Sequence, residues 1–462
     1  MDTEEKQVRG VRCDLSPASR YGPRSGLRVR RRMVASHSFG TRLSNACFSS
    51  VSTVSSVLQD SGTVSSVVQM LSLSTARLSV FRRRGRPIAL AAAGAMALVL
   101  GTARADLTIG VSLPLTGAGS GLGIPVKNGF ALWPKEIAGE KLDLIILDDA
   151  SDPTAANKNA HRFVTDDRVD LIVGSALTPC ALAMVGVAAE ARTVQIAVAP
   201  IELPEGKDAW SFRIPHSTGI MALALGEHMR KQGVKTLGFL GYSDAYGESW
   251  LKDITRVAGE NGIKVVGVER FARTDTSANA QALKLVLARP DAVLVVASGS
   301  GAAMPHKALV ERGYKGTIYQ THSAASRDLM RVGGKDVDGA FVVSGPAIVG
   351  DQLPDTHPSK PAAMAYLEQY EKLYGAGSRN QFAAHTYDVL LVLQKVVPEA
   401  LKKARPGTRE FRAALKDALE HGGPLALSQG VLQYTPRDHF GFRPDTGVIL
   451  KVVNGDWKLQ PR

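Results

Sequence analysis

The chain has 462 residues, 44% hydrophobic and 21% charged, with a net charge of +13. Residues 1–105 hold 16 Lys or Arg against 5 Asp or Glu, leaving 40 basic and 38 acidic residues in 106–462, so the charge implies no nucleic-acid partner. Cys13 and Cys47 also fall in the first segment, and Cys180 alone cannot form an internal disulfide or a multi-cysteine metal site.

Residues 1–69 are rich in Ser and Arg without a sustained apolar period, and are expected to be disordered or not translated. Met70 lies at the right distance to begin an export signal of ordinary length, with Met33 a weaker start. Arg82, Arg83, Arg84 and Arg86 form a basic flank, Ile88 to Leu100 an uncharged apolar run, and Ala103-Arg104-Ala105 a small-residue cleavage site. That is the layout of a signal peptide, and the run is too short to span a membrane. Residues 70–105 are therefore expected to be removed after Ala105, leaving an exported chain that begins at Asp106.

From Asp106 onward, short apolar runs alternate with amphipathic stretches, which predicts parallel β/α architecture. Strands are predicted at Leu107–Leu113, Leu142–Leu147, Asp170–Gly174 and Val194–Ala199, with helices over 124–138, 154–167 and 180–191. The chain is expected to cross over near Phe212–Ser217. A second series then runs through Thr236–Tyr242, Ile263–Phe271, Ala292–Ala297 and Thr317–Gln320. Ala340–Val343, helices near 360–374, 382–403 and 408–420, and a terminal hairpin turning at Asn454-Gly455 complete the pattern. A mature chain of this length predicts two lobes, each doubly wound and Rossmann-like. Ligands of such sheets sit beyond the carboxyl ends of the strands, here the loops 114–123, 175–180, 199–204, 243–248, 298–304 and 321–326.

Enzyme motifs are missing. The glycines from Gly117 to Gly123 match neither G-x-G-x-x-G nor a P-loop, no G-x-S-x-G elbow surrounds Ser298–Gly301, and H-E-x-x-H is absent. No two histidines stand at metal-ligand spacing. No catalytic residue, cofactor or metal is expected.

Four segments carry a resemblance. They are Ile109-Gly110-Val111-Ser112-Leu113-Pro114-Leu115-Thr116-Gly117, Asp148-Asp149-Ala150-Ser151-Asp152-Pro153, Tyr242-Ser243-Asp244-Ala245-Tyr246-Gly247-Glu248 and Gly313-Tyr314-Lys315-Gly316. In this order they resemble the leucine/isoleucine/valine-type periplasmic solute-binding proteins of ATP-binding-cassette importers, from Leu107 to the C-terminus. The resemblance implies a type I periplasmic binding fold of two α/β lobes joined by three crossovers and closing on a solute. Lobe one would be 106–216 and 347–430, and lobe two 217–346 and 431–462. It also implies a periplasmic monomer that delivers an amino acid or carboxylate to an inner-membrane permease.

Carried over residue by residue, the resemblance places the ligand carboxylate at Thr178 and Pro179, where Thr178 also reads as a helix N-cap. Pro200 and Ile201 stand in the loop that offers carbonyls to the ligand's ammonium, and no Ser or Thr occurs there. Tyr246 would cover the ligand from the second lobe, Leu122 would stand where the family places an aromatic wall, and Ser300 lies in a small-sided loop. His322 departs from the pattern, because the amino-acid binders carry there a Glu that pairs with the ammonium. Without that carboxylate a zwitterion is poorly held, by about 3–5 kcal/mol on the scale of a broken buried ion pair. An imidazole would favour a small aliphatic or aromatic acid, with affinity rising as pH falls through roughly 6–7. Ser151 stands at one position of a family disulfide, so that bridge is missing. Two other readings are a sensor module of the same fold and a periplasmic hydrolase, the latter needing a nucleophile–base pair that the sequence does not display.

Overall fold

A computed structural model describes residues 106–461, and the expectations for residues 1–105 lie outside the described residues. The chain begins with β1 (Leu107–Leu113), whose Ile109, Val111 and Leu113 are fully buried, as in a central parallel strand. There follow α1 (Ser120–Gly129), β2 (Glu136–Ile137) and β3 (Glu140–Asp148). The helix predicted over 124–138 is corrected here. Pro134 disfavours a helical residue before it and supplies no N–H, and Ala138 (φ 52) and Gly139 (φ 80) turn the chain back into a hairpin.

Next come α2 (Pro153–Thr165), β4 (Leu171–Gly174), α3 (Thr178–Ala191), β5 (Val194–Ala197) and β6 (Ser211–Arg213). Asp152 starts α2 by accepting from the Ala155 N–H at 2.8 Å, with Pro153 at the first helical turn. The first sheet has the order β2-β3-β1-β4-β5-β6, parallel except for the β2–β3 hairpin.

The second series is α4 (Thr218–Lys231), β7 (Thr236–Tyr242), α5 (Ala245–Glu260), β8 (Lys264–Phe271), α6 (Asn279–Ala288), β9 (Ala292–Val296), α7 (Ala303–Glu311), β10 (Thr317–Gln320), α8 (Arg327–Gly333) and β11 (Phe341–Ser344). The chain then returns to the first lobe through α9 (Lys360–Tyr374), α10 (Gln381–Leu401), α11 (Arg409–His421) and the hairpin β12 (Leu425–Leu427) and β13 (Gly430–Leu432). Leu432, Tyr434 and Phe442 pack into the first core, so that core extends past residue 430. Only β14 (Val448–Val453) and β15 (Asp456–Leu459) join the second sheet, ordered β15-β14-β11-β10-β9-β7-β8. Asn454 and Gly455 both take positive φ, 52° and 74°, in the turn between them.

Each lobe has its own core. Phe163, Phe212 and Phe411 are fully buried in the first, and Trp250, Tyr319 and Phe239 in the second. The three connections between the lobes meet one another. His216 of the first stacks on Phe442 of the third at 4.2 Å, and its Nε2 donates to the Gln429 carbonyl at 2.8 Å. Gly345 of the second lies so close that a Cβ there would sit 2.0 Å from Gln429 Oε1. Among the described residues no helix is long and apolar enough to cross a membrane.

Candidate functional site

The carboxyl ends of both sheets face one narrow cleft, with only about 20 Å3 of free space between its walls. The lobes meet around it: a Cβ at Gly299 would lie 3.8 Å from the Gly121 backbone. Glu202, after β5, accepts from Thr218 at 3.1 Å and from Lys252 at 3.0 Å, both on the second lobe. A larger groove of about 340 Å3 lies away from the strand ends, between Ala224 and His228 of α4, Leu353 and Ile449. The cleft is the stronger candidate, because it gathers polar groups of both lobes at the strand ends.

The first lobe contributes Leu122 of α1, Thr178, Pro200, and Phe382 and His385 of α10. Leu177, not Thr178, caps α3, and Thr178 is its first helical residue; the expected N-cap moves by one, and no side chain caps this helix. Pro179 supplies no N–H there, and the dipole at this uncapped end of α3 favours an anion. Buried Asp149 braces the loop before it, accepting from Ser175 Oγ at 2.7 Å and Ser112 Oγ at 3.3 Å. Burial raises the Asp149 carboxyl above its ordinary range. The Cys180 thiol beside it is buried and pushed up by desolvation.

The second lobe contributes Tyr246, Arg273, Ser298, His322 and Ser323. Asp244 caps α5 through the N–H groups of Tyr246 and Gly247, which fixes the tyrosine at the helix start. Its hydroxyl donates to Thr321 Oγ1 at 2.9 Å, and burial lifts the phenol to about 12. Arg273 lies over the Tyr242 ring at 3.9 Å, donates from Nε to Asp244 and reaches Ser298 Oγ at 3.0 Å from Nη1. A guanidinium has five N–H donors, so donors remain for a ligand.

His322 is 2% exposed, with Trp250 and Tyr246 ring centroids 5.7 Å and 6.1 Å from its own. Burial, aided by nearby His216, lowers it to about 3. Burial also lowers His216 to about 4 and holds His385 well below the usual imidazole range. The expected titration near pH 6–7 is thereby corrected. These imidazoles are neutral at physiological pH, and anion attraction falls to Arg273 and the α3 start.

A polar network ties this floor to the crossovers. Gln381 donates from Nε2 to the His322 carbonyl at 3.3 Å, and its Oε1 accepts from Ser344 Oγ and from Gly345 N at 3.3 Å. Gln429 donates from Nε2 to the Gln381 carbonyl at 3.2 Å and to His385 Nδ1 at 3.5 Å.

Of the residues expected from sequence, Leu122, Thr178, Pro200, Tyr246 and His322 line the cleft. Pro179 follows Thr178 in α3 without reaching the lining, Ile201 is buried against Ala181 and Ala199, and Ser300 is exposed while Ser298 takes its place. Arg273, Phe382 and His385 escaped the sequence reading. Arg273 follows β8, and the loop after the second strand of that series was the one signal that could have found it. Among the described residues no group of His, Cys, Asp and Glu is placed to hold a metal ion.

Residues 106–453 match the family described as periplasmic binding protein. An extracellular ligand-binding receptor from Rhodopseudomonas palustris is 47% identical, over 77% of this chain and 99% of that one, with a TM-score of 0.76. Two more distant structures share the fold. A leucine binding protein from Thermotoga maritima is 20% identical, over 77% of this chain and 98% of that one, with a TM-score of 0.65. An ABC-transporter solute binding protein from R. palustris, in complex with benzoate, is 19% identical, over 77% of this chain and 95% of that one, with a TM-score of 0.66. No curated protein matches the sequence. With its two doubly wound lobes, three crossovers and interlobe cleft, the chain belongs to the periplasmic binding protein family.

Proposed function

We propose that this protein is the periplasmic solute-binding component of an ABC importer, and that its lobes close on a small hydrophobic carboxylate. It would be exported by the signal in residues 70–105, work without a catalytic step, and hand its solute to an inner-membrane permease. One observation carries the choice of an acid: no Asp or Glu lines the cleft, while Arg273 and the uncapped start of α3 do. A zwitterionic amino acid brings an ammonium that needs a counter-charge, and the nearby Asp244 carboxylate is taken by Arg273 and two backbone N–H groups. The benzoate complex of the distant R. palustris protein shows that this fold can hold such an acid.

Thermal shift and calorimetry with benzoate, 4-methylpentanoate and leucine test the reading. An acid at 100 times its dissociation constant adds about 2.7 kcal/mol to the native state. Tight binding of leucine with no response to either acid would overturn it.

A further inference from the structure

Resting on that reading of the cleft, we infer that the ligand carries, besides its carboxylate, an uncharged hydroxyl that hydrogen-bonds the ring of His322. His322 lines the cleft, and neither of its ring nitrogens has a hydrogen-bond partner in the protein. Every other histidine buried among the described residues holds at least one partner. His216 has the Gln429 carbonyl, His228 the Tyr319 hydroxyl, His306 the Asp336 carbonyl, His385 the Gln429 amide and His439 Glu420. A ring flip or a change of tautomer cannot relieve His322, because both nitrogens are bare. Buried polar groups are paired as a rule, and leaving one unpaired costs more than its hydrogen bond returns.

The chemistry of the partner follows from the neutral ring, which presents one donor and one acceptor. A carboxylate only accepts, and would bring its charge to a floor of uncharged imidazoles. An ammonium only donates, with no carboxylate lining the cleft to balance it. A methyl group leaves both nitrogens bare. A hydroxyl donates and accepts, so it can pair with the ring nitrogen it meets in either tautomer, and Ser323 and His385 line the same cleft beside it. A site built to bond a hydroxyl rejects the analogue that lacks it, because the analogue strands the protein's polar groups.

The test is calorimetry of the folded protein with two series of acids: benzoate, 4-methylbenzoate, 3-hydroxybenzoate and 4-hydroxybenzoate, and hexanoate with 6-hydroxyhexanoate. At least one hydroxy acid should bind about 10-fold or more tightly than its parent. In His322→Phe that advantage should shrink to within about 2-fold while the parent acid still binds, and His322→Asn, which keeps a donor and an acceptor, should recover part of it. Failure of every acid to bind the wild type refutes the acid reading itself, and this inference with it. Equal binding of parent and hydroxy acids overturns the inference alone. So does an advantage that survives in His322→Phe.

Discussion

Replacing Asp388 with Asn should remove a pH-dependent weakness of the interlobe region. Asp388 is fully buried on α10, three residues after His385, and its two oxygens accept from the Ser428 N–H at 2.8 Å and the Gln429 N–H at 3.1 Å. It thereby holds the β12–β13 tip whose Gln429 bonds His216 and Gln381. Burial lifts its carboxyl from 3.8 to about 7, the hydrogen bonds opposing the rise. Between those values the native state keeps a proton that the unfolded chain releases, so stability falls as pH rises. The contribution is present in full below about pH 4 and lost above about pH 7, on the order of 4 kcal/mol in all. Asp388→Asn cannot release that proton, and its amide, like the protonated carboxyl, offers one full acceptor oxygen to the two backbone N–H groups. Urea unfolding at pH 4, 5.5 and 7 should therefore show the variant within about 1 kcal/mol of wild type at pH 4, where both side chains are neutral. It should gain on wild type by on the order of 4 kcal/mol by pH 7. The other buried groups that titrate, among them Asp149, Asp170, Asp253 and the histidines, are common to both proteins and cancel in the difference. A stability difference that stays constant across the three pH values would refute the reasoning.

Three further outcomes are expected. Arg273→Met keeps the stem over Tyr242 but loses the guanidinium donors, so benzoate affinity should fall about 10- to 100-fold in calorimetry, and unchanged affinity would remove Arg273 from the site. Because His322 stays neutral above about pH 3, the ratio of benzoate affinities at pH 5.5 and 7.5 should be the same in wild type and His322→Asn; a ratio that differs would return the imidazole to a charged role. Expressed with its signal in a Gram-negative host, the protein should be recovered from the periplasm starting at Asp106, and an intact mass that retains Ile88–Leu100 would count against export.

The periodicity of the sequence was enough to place β1, β7 and β10 to the residue, because a strand buried in a parallel sheet is a continuous apolar run bounded by turn residues. It also gave the terminal hairpin, since Asn454-Gly455 suits two positive φ values in succession. It misjudged 130–138 because the apolar spacing outweighed Pro134 and Ala138-Gly139, the local signals that stop the helix. In the cleft, Thr178, Pro200, Tyr246 and His322 could be placed in advance, since they follow predicted strands at positions matching a known pattern.

What remained hidden depends on neighbours far along the chain. Arg273 sits in a stretch, Ala272-Arg273-Thr274-Asp275, that reads as an ordinary solvated turn until Tyr242, Asp244 and Ser298 close around it. Phe382 and His385 come from a helix just over 200 residues after Thr178, and only the return of the chain to the first lobe brings them to the cleft. The charge of His322 belonged to the same class of question. Its residue type allowed a switch near neutral pH, but desolvation in the closed cleft fixed the ring as neutral. Sequence alone determined the alternation of strands and helices, because backbone period and turn chemistry act over a few residues. The electrostatics and membership of the site were decided by tertiary packing, which sets both which side chains converge and how much water reaches them.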